Sequence, residues 1–426
     1  MAGISDLLKP ILHEIEKFLQ RGRFLLLHPE SSYRSLVVAA LLQDRAYPVF
    51  YYALGVEDTN LTAFLNGLVH TISKQKPGFG SHVLQKWNLF DFNTMVDALA
   101  SDLAELGNGQ PFILILDEFD RSDSADDIQY FLEQIANVLP DGCTILINSR
   151  TVPRLSWIAL MAKERGIMLK DAHLIKENFY RLRTAADNVD DVIEVFALGP
   201  GFVLLNDLPI DTWEGHLPRL LFFYALDRPA ITRSEICAAF WPDLDNDQAV
   251  NVFHVTKRRL HKALSIDALV HEDGHYRIAP NLRVEYDVSD FVSQLLNSRE
   301  IDNPDPFGAL QSALEIYSDP FLLGHHDPWI KERRSDFQAG YLEALTRAAE
   351  HKIQTNHPEQ ALRLFQKALQ TDGSQQALHR NLMNLYITLG RRSEAVSHFR
   401  KLEKTLRQNG DAIAPETAAI YQQIIS

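Results

Sequence analysis

Residues 233–264 read RSEICAAFWPDLDNDQAVNVFHVTKRRLHKAL, and residues 269–280 read LVHEDGHYRIAP. The first stretch holds two helical patterns parted by a Trp-Pro-Asp turn. The leading one, RSEICAAFW, follows Thr232, with Glu235 three positions on, which is the spacing of a capping box. The second, QAVNVFHVTKRRLHKAL, places Ala249, Val252, Phe253, Leu260 and Leu264 at intervals of three and four, a single apolar stripe. Its other face offers Asn251, His254, Lys257, Arg258, His261 and Lys262. From Ala249 to Leu264 there are four Lys or Arg and no acid, within a chain of net charge -14.

Upstream, HLPRLLFFYAL at 216–226 supplies one more helix. Downstream, LVHEDGHYRIAP alternates apolar and polar residues about Asp273-Gly274, the pattern of a β-hairpin with a tight turn. Helix, helix, basic helix and hairpin predict a winged helix-turn-helix over 190–285, with the recognition helix at 249–264 and the wing at 268–279. Lys and Arg suit phosphates and guanine edges, and Asn suits adenine. Arg277 on the wing is available to a phosphate or the minor groove. Taken alone, a basic helix face is commonly no more than solvated; the ordered set of elements is what singles out DNA.

Two metal-like patterns fall in this region. His271, Glu272 and His275 match H-E-x-x-H, whose chemistry needs both histidines on one helical face. Asp273-Gly274 at its centre predicts a hairpin instead. Asp243, Asp245 and Asp247 imitate the first half of a calcium loop, but Gln248 stands where glycine is needed and His254 where glutamate is needed. The expectation is a loop whose last acid caps the basic helix, and no metal.

Residues 1–185 alternate apolar runs (FLLLH at 24–28, VFYYAL at 49–54, FILILD at 112–117, TILINS at 144–149) with amphipathic helical ones. Continuous apolar strands separated by helices predict a mostly parallel sheet covered on both faces, an α/β domain of P-loop type. A working phosphate loop needs glycines that let backbone N–H groups wrap a phosphate, a lysine, and a Ser or Thr for the metal. Here Ser35 holds the last position, Arg34 stands for the lysine, Ser31 and Tyr33 stand where glycines belong, and Glu30 adds a negative charge. The acidic strand end, Asp117-Glu118, is better kept and fits a strand that holds magnesium, although acids there are common in α/β proteins. RTAADNVDD at 183–191 reads as a linker.

From residue 286 to 426 the pattern is helical throughout. Ala361, Ala368, Gly390 and Ala395 are small residues between helices, and Ala361 and Ala395 stand 34 residues apart, the tetratricopeptide period. Such all-α arrays hold partners rather than carry chemistry. His325-His326 has no companion ligands nearby.

The chain has 426 residues, which at roughly 150 per domain predicts about three modules. No apolar run approaches the roughly 20 residues that cross a bilayer, and no charged-then-apolar leader follows Met1; the expectation is a protein without membrane contact. Cys143 and Cys237 lie far apart in apolar segments and read as buried thiols of a reducing cytoplasm. The acidic total argues against non-specific coating of nucleic acid but does not exclude a local basic face.

Family resemblances sharpen these readings. HPESSYRSLVVAALL, FILILDEFD and ILINSRTVPRLSWIALMAKERG together resemble the signal-transduction ATPases with numerous domains, with Arg150 similar to their sensor strand and its loop. The central phosphate loop is where the chain departs most, so the resemblance implies a degenerate, scaffold-like or regulatory domain with a vestigial nucleotide site at Arg34, Ser35, Asp117, Glu118 and Arg150. FALGPGFVLLNDLPIDTW, residues 233–264 and DGHYRIAP resemble the winged helix of bacterial antibiotic-pathway activators, akin to the output domain of response regulators. One departure is Leu260-His261 where Leu-Arg is usual, implying a weaker, pH-dependent DNA contact. The C-terminal segment resembles the bacterial transcriptional activator domain through DPFL at 319–322, Trp329 with Arg333, LHRNLMNLYITLGRRSEAVSHFRKL and PETAAIYQQI; Tyr317-Ser318-Asp319 departs from its usual Tyr-x-Gly.

The expected function is therefore a sequence-specific, DNA-binding transcriptional activator in the bacterial cytoplasm and nucleoid, not an enzyme and with no cofactor. The resemblance implies double-stranded promoter repeats, RNA polymerase subunits and a homodimer as partners. Two alternatives remain open: an ATP- and magnesium-binding switch with residual ATPase activity, and an adaptor whose winged helix recognises protein.

Overall fold

The computed structural model describes residues 15, 23–29, 31, 34–43, 47–89, 91–169, 192–206, 208–210, 212–300 and 302–425. Glu30 and Tyr33 of the loop reading and the linker at 183–191 lie outside these. The chain forms two compact units. The first comprises residues 1–197, 201–289 and 327–329, and the second comprises 198–200, 290–326 and 330–426.

The first unit opens with a five-stranded parallel sheet in the order β2-β3-β4-β1-β5. Its strands are β1 (Arg23–Leu27), β2 (Val49–Ala53), β3 (Phe112–Asp117), β4 (Cys143–Asn148) and β5 (Gly166–Leu169). Helices α1 (Arg34–Gln43), α2 (Leu61–Gln75), α3 (Ser81–Lys86), α4 (Phe92–Leu106), α5 (Asp126–Val138) and α6 (Trp157–Ala162) are interspersed along it. In β3 and β4 every residue but the last is buried, as strands covered on both faces must be. The core gathers Leu25, Leu27, Val37, Ile113, Ile115 and Leu146. β5 is an addition to the four strands expected: GIML is too short to show a period, and only its pairing with β1 defines it.

The same unit continues into the winged helix. A four-stranded sheet runs β12-β6-β7-β8, from β6 (Val192–Phe196), β7 (Phe202–Leu205), β8 (Leu208–Pro209) and β12 (Arg283–Tyr286). Three helices follow it, α7 (Leu217–Leu226), α8 (Arg233–Phe240) and α9 (Asn246–Leu264). The strands β9 (Ile231–Thr232), β10 (Leu269–Glu272) and β11 (His275–Ile278) make a second sheet, order β10-β11-β9. Leu220 to Leu226 of α7 are all buried, as befits a central helix, and α8 and α9 pack around it.

The second unit is helical: α10 (Asp287–Arg299), α11 (Pro306–Ile316), α12 (Pro328–Gln354), α13 (Pro358–Thr371), α14 (Gln376–Thr388), α15 (Arg392–Asn409) and α16 (Pro415–Ile425). Ala361 and Ala395 are fully buried between helices, where a larger side chain would push them apart. Gly390 takes φ +70 in the turn between α14 and α15, a left-handed conformation that a Cβ disfavours. No helix among the described residues is long and apolar enough to cross a membrane.

Candidate nucleic-acid interface

The capping box forms as expected: Glu235 N donates to Thr232 Oγ1 at 3.2 Å, and Thr232 N to Glu235 Oε2 at 2.7 Å. The acid that caps α9 is Asp245, which accepts from Gln248 N at 2.9 Å. This corrects the expectation that the last acid caps: Asp247 lies inside the first turn, and the helix begins at Asn246.

Ala249, Phe253, Thr256, Leu260 and Leu264 are the buried line of α9. At about 100° per residue, the positions diametrically opposite are Asn251, Val255, Arg258 and Lys262, and all four are exposed, together with His254 and Arg259. Lys257 and His261 do not share that face. Lys257 is half-buried, with Nζ 5.4 Å from the Tyr276 ring centroid, a cation–π tie between α9 and the wing. His261 turns its Nδ1 to Asp267 Oδ1 at 2.5 Å, with its side chain only 19% exposed. Burial, aided by the neighbouring Lys257 charge, pushes the His261 imidazole below its ordinary value against the pull of Asp267. At neutral pH it is an uncharged structural group. Arg259 and Val255 were missed because a two-sided reading of the helix left its flanks unassigned.

Glu214, in the turn before α7, pairs with Lys262 and lies 3.5 Å from Arg259. The Lys262 ammonium beside it holds its carboxyl below the usual carboxylate range. A phosphate approaching Lys262 therefore displaces a carboxylate from an exposed, easily exchanged pair.

The wing is a hairpin whose turn residues Asp273 and Gly274 both have positive φ, 49 and 81, the geometry of a tight primed turn. His271 lies opposite Tyr276 and Glu272 opposite His275, so the H-E-x-x-H histidines sit on two strands rather than one helical face. No group of metal-ligating side chains occurs among the described residues. Arg277 is half-buried on β11 and pairs with Glu272 at 3.6 Å.

At the carboxyl ends of the parallel strands the other predicted residues meet. Asp117 Oδ2 accepts from Tyr51 Oη at 2.6 Å, and Oδ1 from Asn148 Nδ2 at 2.7 Å and Glu118 N at 2.8 Å. Arg34 donates to the carbonyl oxygens of Ser149 and, at 3.4 Å, Ser31, while Ser35 is exposed on the first turn of α1. Glu118 adopts φ 53 and pairs with Arg121 at 3.3 Å. Arg150 grips Asp120, with Nη2 at 2.6 Å and Nε at 2.9 Å from Oδ2. Tyr51 and Asn148 escaped the sequence reading because their role comes from strand register alone: β2 and β4 flank β3, bringing both side chains to Asp117.

Several comparisons bear on this chain. No curated protein matches it. Mycobacterium tuberculosis EmbR, solved in complex with a low-affinity phosphopeptide, is 18% identical with a TM-score of 0.47, over 55% of this chain and 65% of that one. A signal transduction ATPase with numerous domains from Pyrococcus horikoshii, bearing a tetratricopeptide repeat sensor, is 14% identical with a TM-score of 0.27, over 94% of this chain and 64% of that one. The chain thus spans just under two thirds of each of those structures. Residues 287–425, the helical segment from α10 to α16, match the family model of the bacterial transcriptional activator domain, so the chain carries that domain in its C-terminal third.

Proposed function

We propose that this chain is a sequence-specific DNA-binding transcriptional activator that inserts α9 in the major groove and rests its wing on the flanking backbone. The observation that carries the reading is the solvent-facing line of α9, where Asn251, Arg258 and Lys262 stand opposite the buried stripe with Val255 among them. Hydrogen-bonding and cationic side chains on the open side of such a helix match base edges and phosphates. The activator domain at 287–425 supports a role in transcription and supplies the helical array for contacts with RNA polymerase or a second copy. The sheet domain serves as scaffold or regulator and needs no nucleotide.

The test is titration of the full chain against promoter fragments from its own locus at low salt. Arg258→Ala and Lys262→Ala should each weaken binding, and Lys262→Ala should also lower the salt slope by about one. Binding that neither substitution changes would point to the adaptor reading.

A second reading, a nucleotide switch, draws on the cluster of Asp117, Asn148, Tyr51 and Arg34 at the strand ends. Against it, the Asp117 oxygens are engaged by Tyr51, Asn148 and the Glu118 amide, and Arg34 by carbonyl oxygens. Heat on titrating ATP with magnesium, lost in Asp117→Ala, would favour the switch; silence would favour the scaffold.

A further inference from the structure

Arg154, on the loop after β4, is buried at 3% exposure. It pairs with Asp126 at 2.8 Å and with Glu235, and its Nη2 donates to Asp123 O at 3.0 Å. Asp126 opens α5 of the sheet domain, whereas Glu235 belongs to the capping box of α8 in the winged helix. The other oxygen of Asp126 accepts from the N-cap hydroxyl, Thr232 Oγ1, at 2.8 Å. A second cluster lies alongside: Arg228 reaches Asp227 at 2.9 Å and Glu133 at 3.3 Å, and Ser156 Oγ donates to Asp227 at 2.9 Å. Residues of α5 and of the loop after β4 thus hold the end of α7 and the start of α8, all within one compact unit.

The start of α8 has a place in DNA binding on physical grounds. In a helix-turn-helix the first helix abuts the phosphate backbone, and a helix N-terminus attracts anions through its free N–H groups and dipole. Thr232 is also paired with His275 of the wing, so the N-cap adjoins the second element that would touch the backbone. What occupies this anion-seeking place is the Asp126 carboxylate, oriented by Arg154. A DNA phosphate arriving there would meet Asp126 and Glu235 at close range, and like charges repel.

We infer that the surface around Thr232 and the first turn of α8 is a phosphate-contact surface of the winged helix, and that Asp126, held by Arg154, occupies it in place of a DNA phosphate. The sheet domain and DNA then compete for one surface, and release of the Arg154 contacts frees the winged helix for full engagement. The inference rests on the DNA reading proposed above.

The experiment measures affinity of the full chain for the promoter fragment together with hydrogen exchange over residues 126–129, 154–157 and 231–236. Arg154→Met leaves two carboxylates facing each other, and Asp126→Asn removes the competing charge while keeping a hydrogen-bonding side chain. Each should bind DNA about tenfold more tightly, the gain expected if roughly one molecule in ten is open in the parent chain. In the unaltered protein, saturating DNA should raise exchange at 126–129 and 154–157 and lower it at 231–236, a readout that stands even if a variant fails to fold. Equal affinities, with exchange at 126–157 unmoved by DNA, would overturn the competition and leave the DNA reading intact. Binding by none of the chains would overturn the DNA reading and the competition together.

Discussion

Tyr51 donates its phenol proton to Asp117 at 2.6 Å, across the neighbouring strands β2 and β3. That bond closes the acidic strand end that would face a metal. Burial first, then the hydrogen bond to Asp117, pushes the Tyr51 phenol up to about 12. Because the folded value lies above the unfolded one near 10, this bond stabilises the protein fully below about pH 10 and is lost as pH rises toward 12. Tyr51→Phe should lower stability at neutral pH by about 1 kcal/mol or somewhat more, since Asp117 loses a partner. The gap from the parent should shrink in thermal melts taken between pH 10 and 12.

Lys257 and Arg258 are adjacent in sequence but should differ in effect. Lys257 packs over the Tyr276 ring, so Lys257→Ala should loosen the wing by about 0.5–1 kcal/mol, read as faster hydrogen exchange over 269–278. Arg258→Ala should leave that exchange unchanged and cost DNA affinity about 1–3 kcal/mol if Arg258 reads a guanine. A larger DNA effect from Lys257 than from Arg258 would contradict the placement of both.

Val255 is 46% exposed on a face otherwise polar or cationic. An apolar group there suits the 5-methyl of thymine. Replacing thymines of the bound site by uracil removes that methyl and nothing else. One such replacement should weaken the parent chain several-fold and leave Val255→Ser nearly unaffected. The same loss in both chains would assign the methyl to another residue.

Much of this was legible locally. Thr232 and Glu235 announced a capping box, Asp273-Gly274 a hairpin turn, and FILILD a buried strand ending in acid, because each is decided within a few residues by backbone geometry and burial. The faces of α9 were half legible: the buried line was found, but taking every polar residue as its opposite put Lys257 and His261 beside Arg258. The rotation of about 100° per residue places them on the flanks, where Tyr276 and Asp267 claim them. Least legible was Arg154, whose carboxylate partners Asp126 and Glu235 lie in different domains. No local pattern distinguishes an arginine destined for burial between domains from one left in solvent, and SRTVPRL had drawn attention to Arg150 instead.

His379 and His398 make the activator domain acid-sensitive. His379 Nδ1 lies 2.8 Å from His398 Nε2, between α14 and α15, and His379 Nε2 lies 3.0 Å from the Gly373 carbonyl oxygen. A ring nitrogen facing a carbonyl must carry the proton, so His379 Nδ1 accepts and His398 Nε2 donates, and both rings are neutral. Burial first, then the charges of His379 and Lys401, pushes His398 down to about 4; burial likewise lowers His379. A folded value below the unfolded 6.5 means the pair stabilises the fold above about pH 6.5 and that this stability is lost as pH falls toward 4. His398→Gln can still donate to His379 but does not titrate. Its melting temperature, followed by circular dichroism at 222 nm, should fall less than that of the parent between pH 7 and pH 5. Parallel curves for the two chains would show that the pair does not set the acid sensitivity.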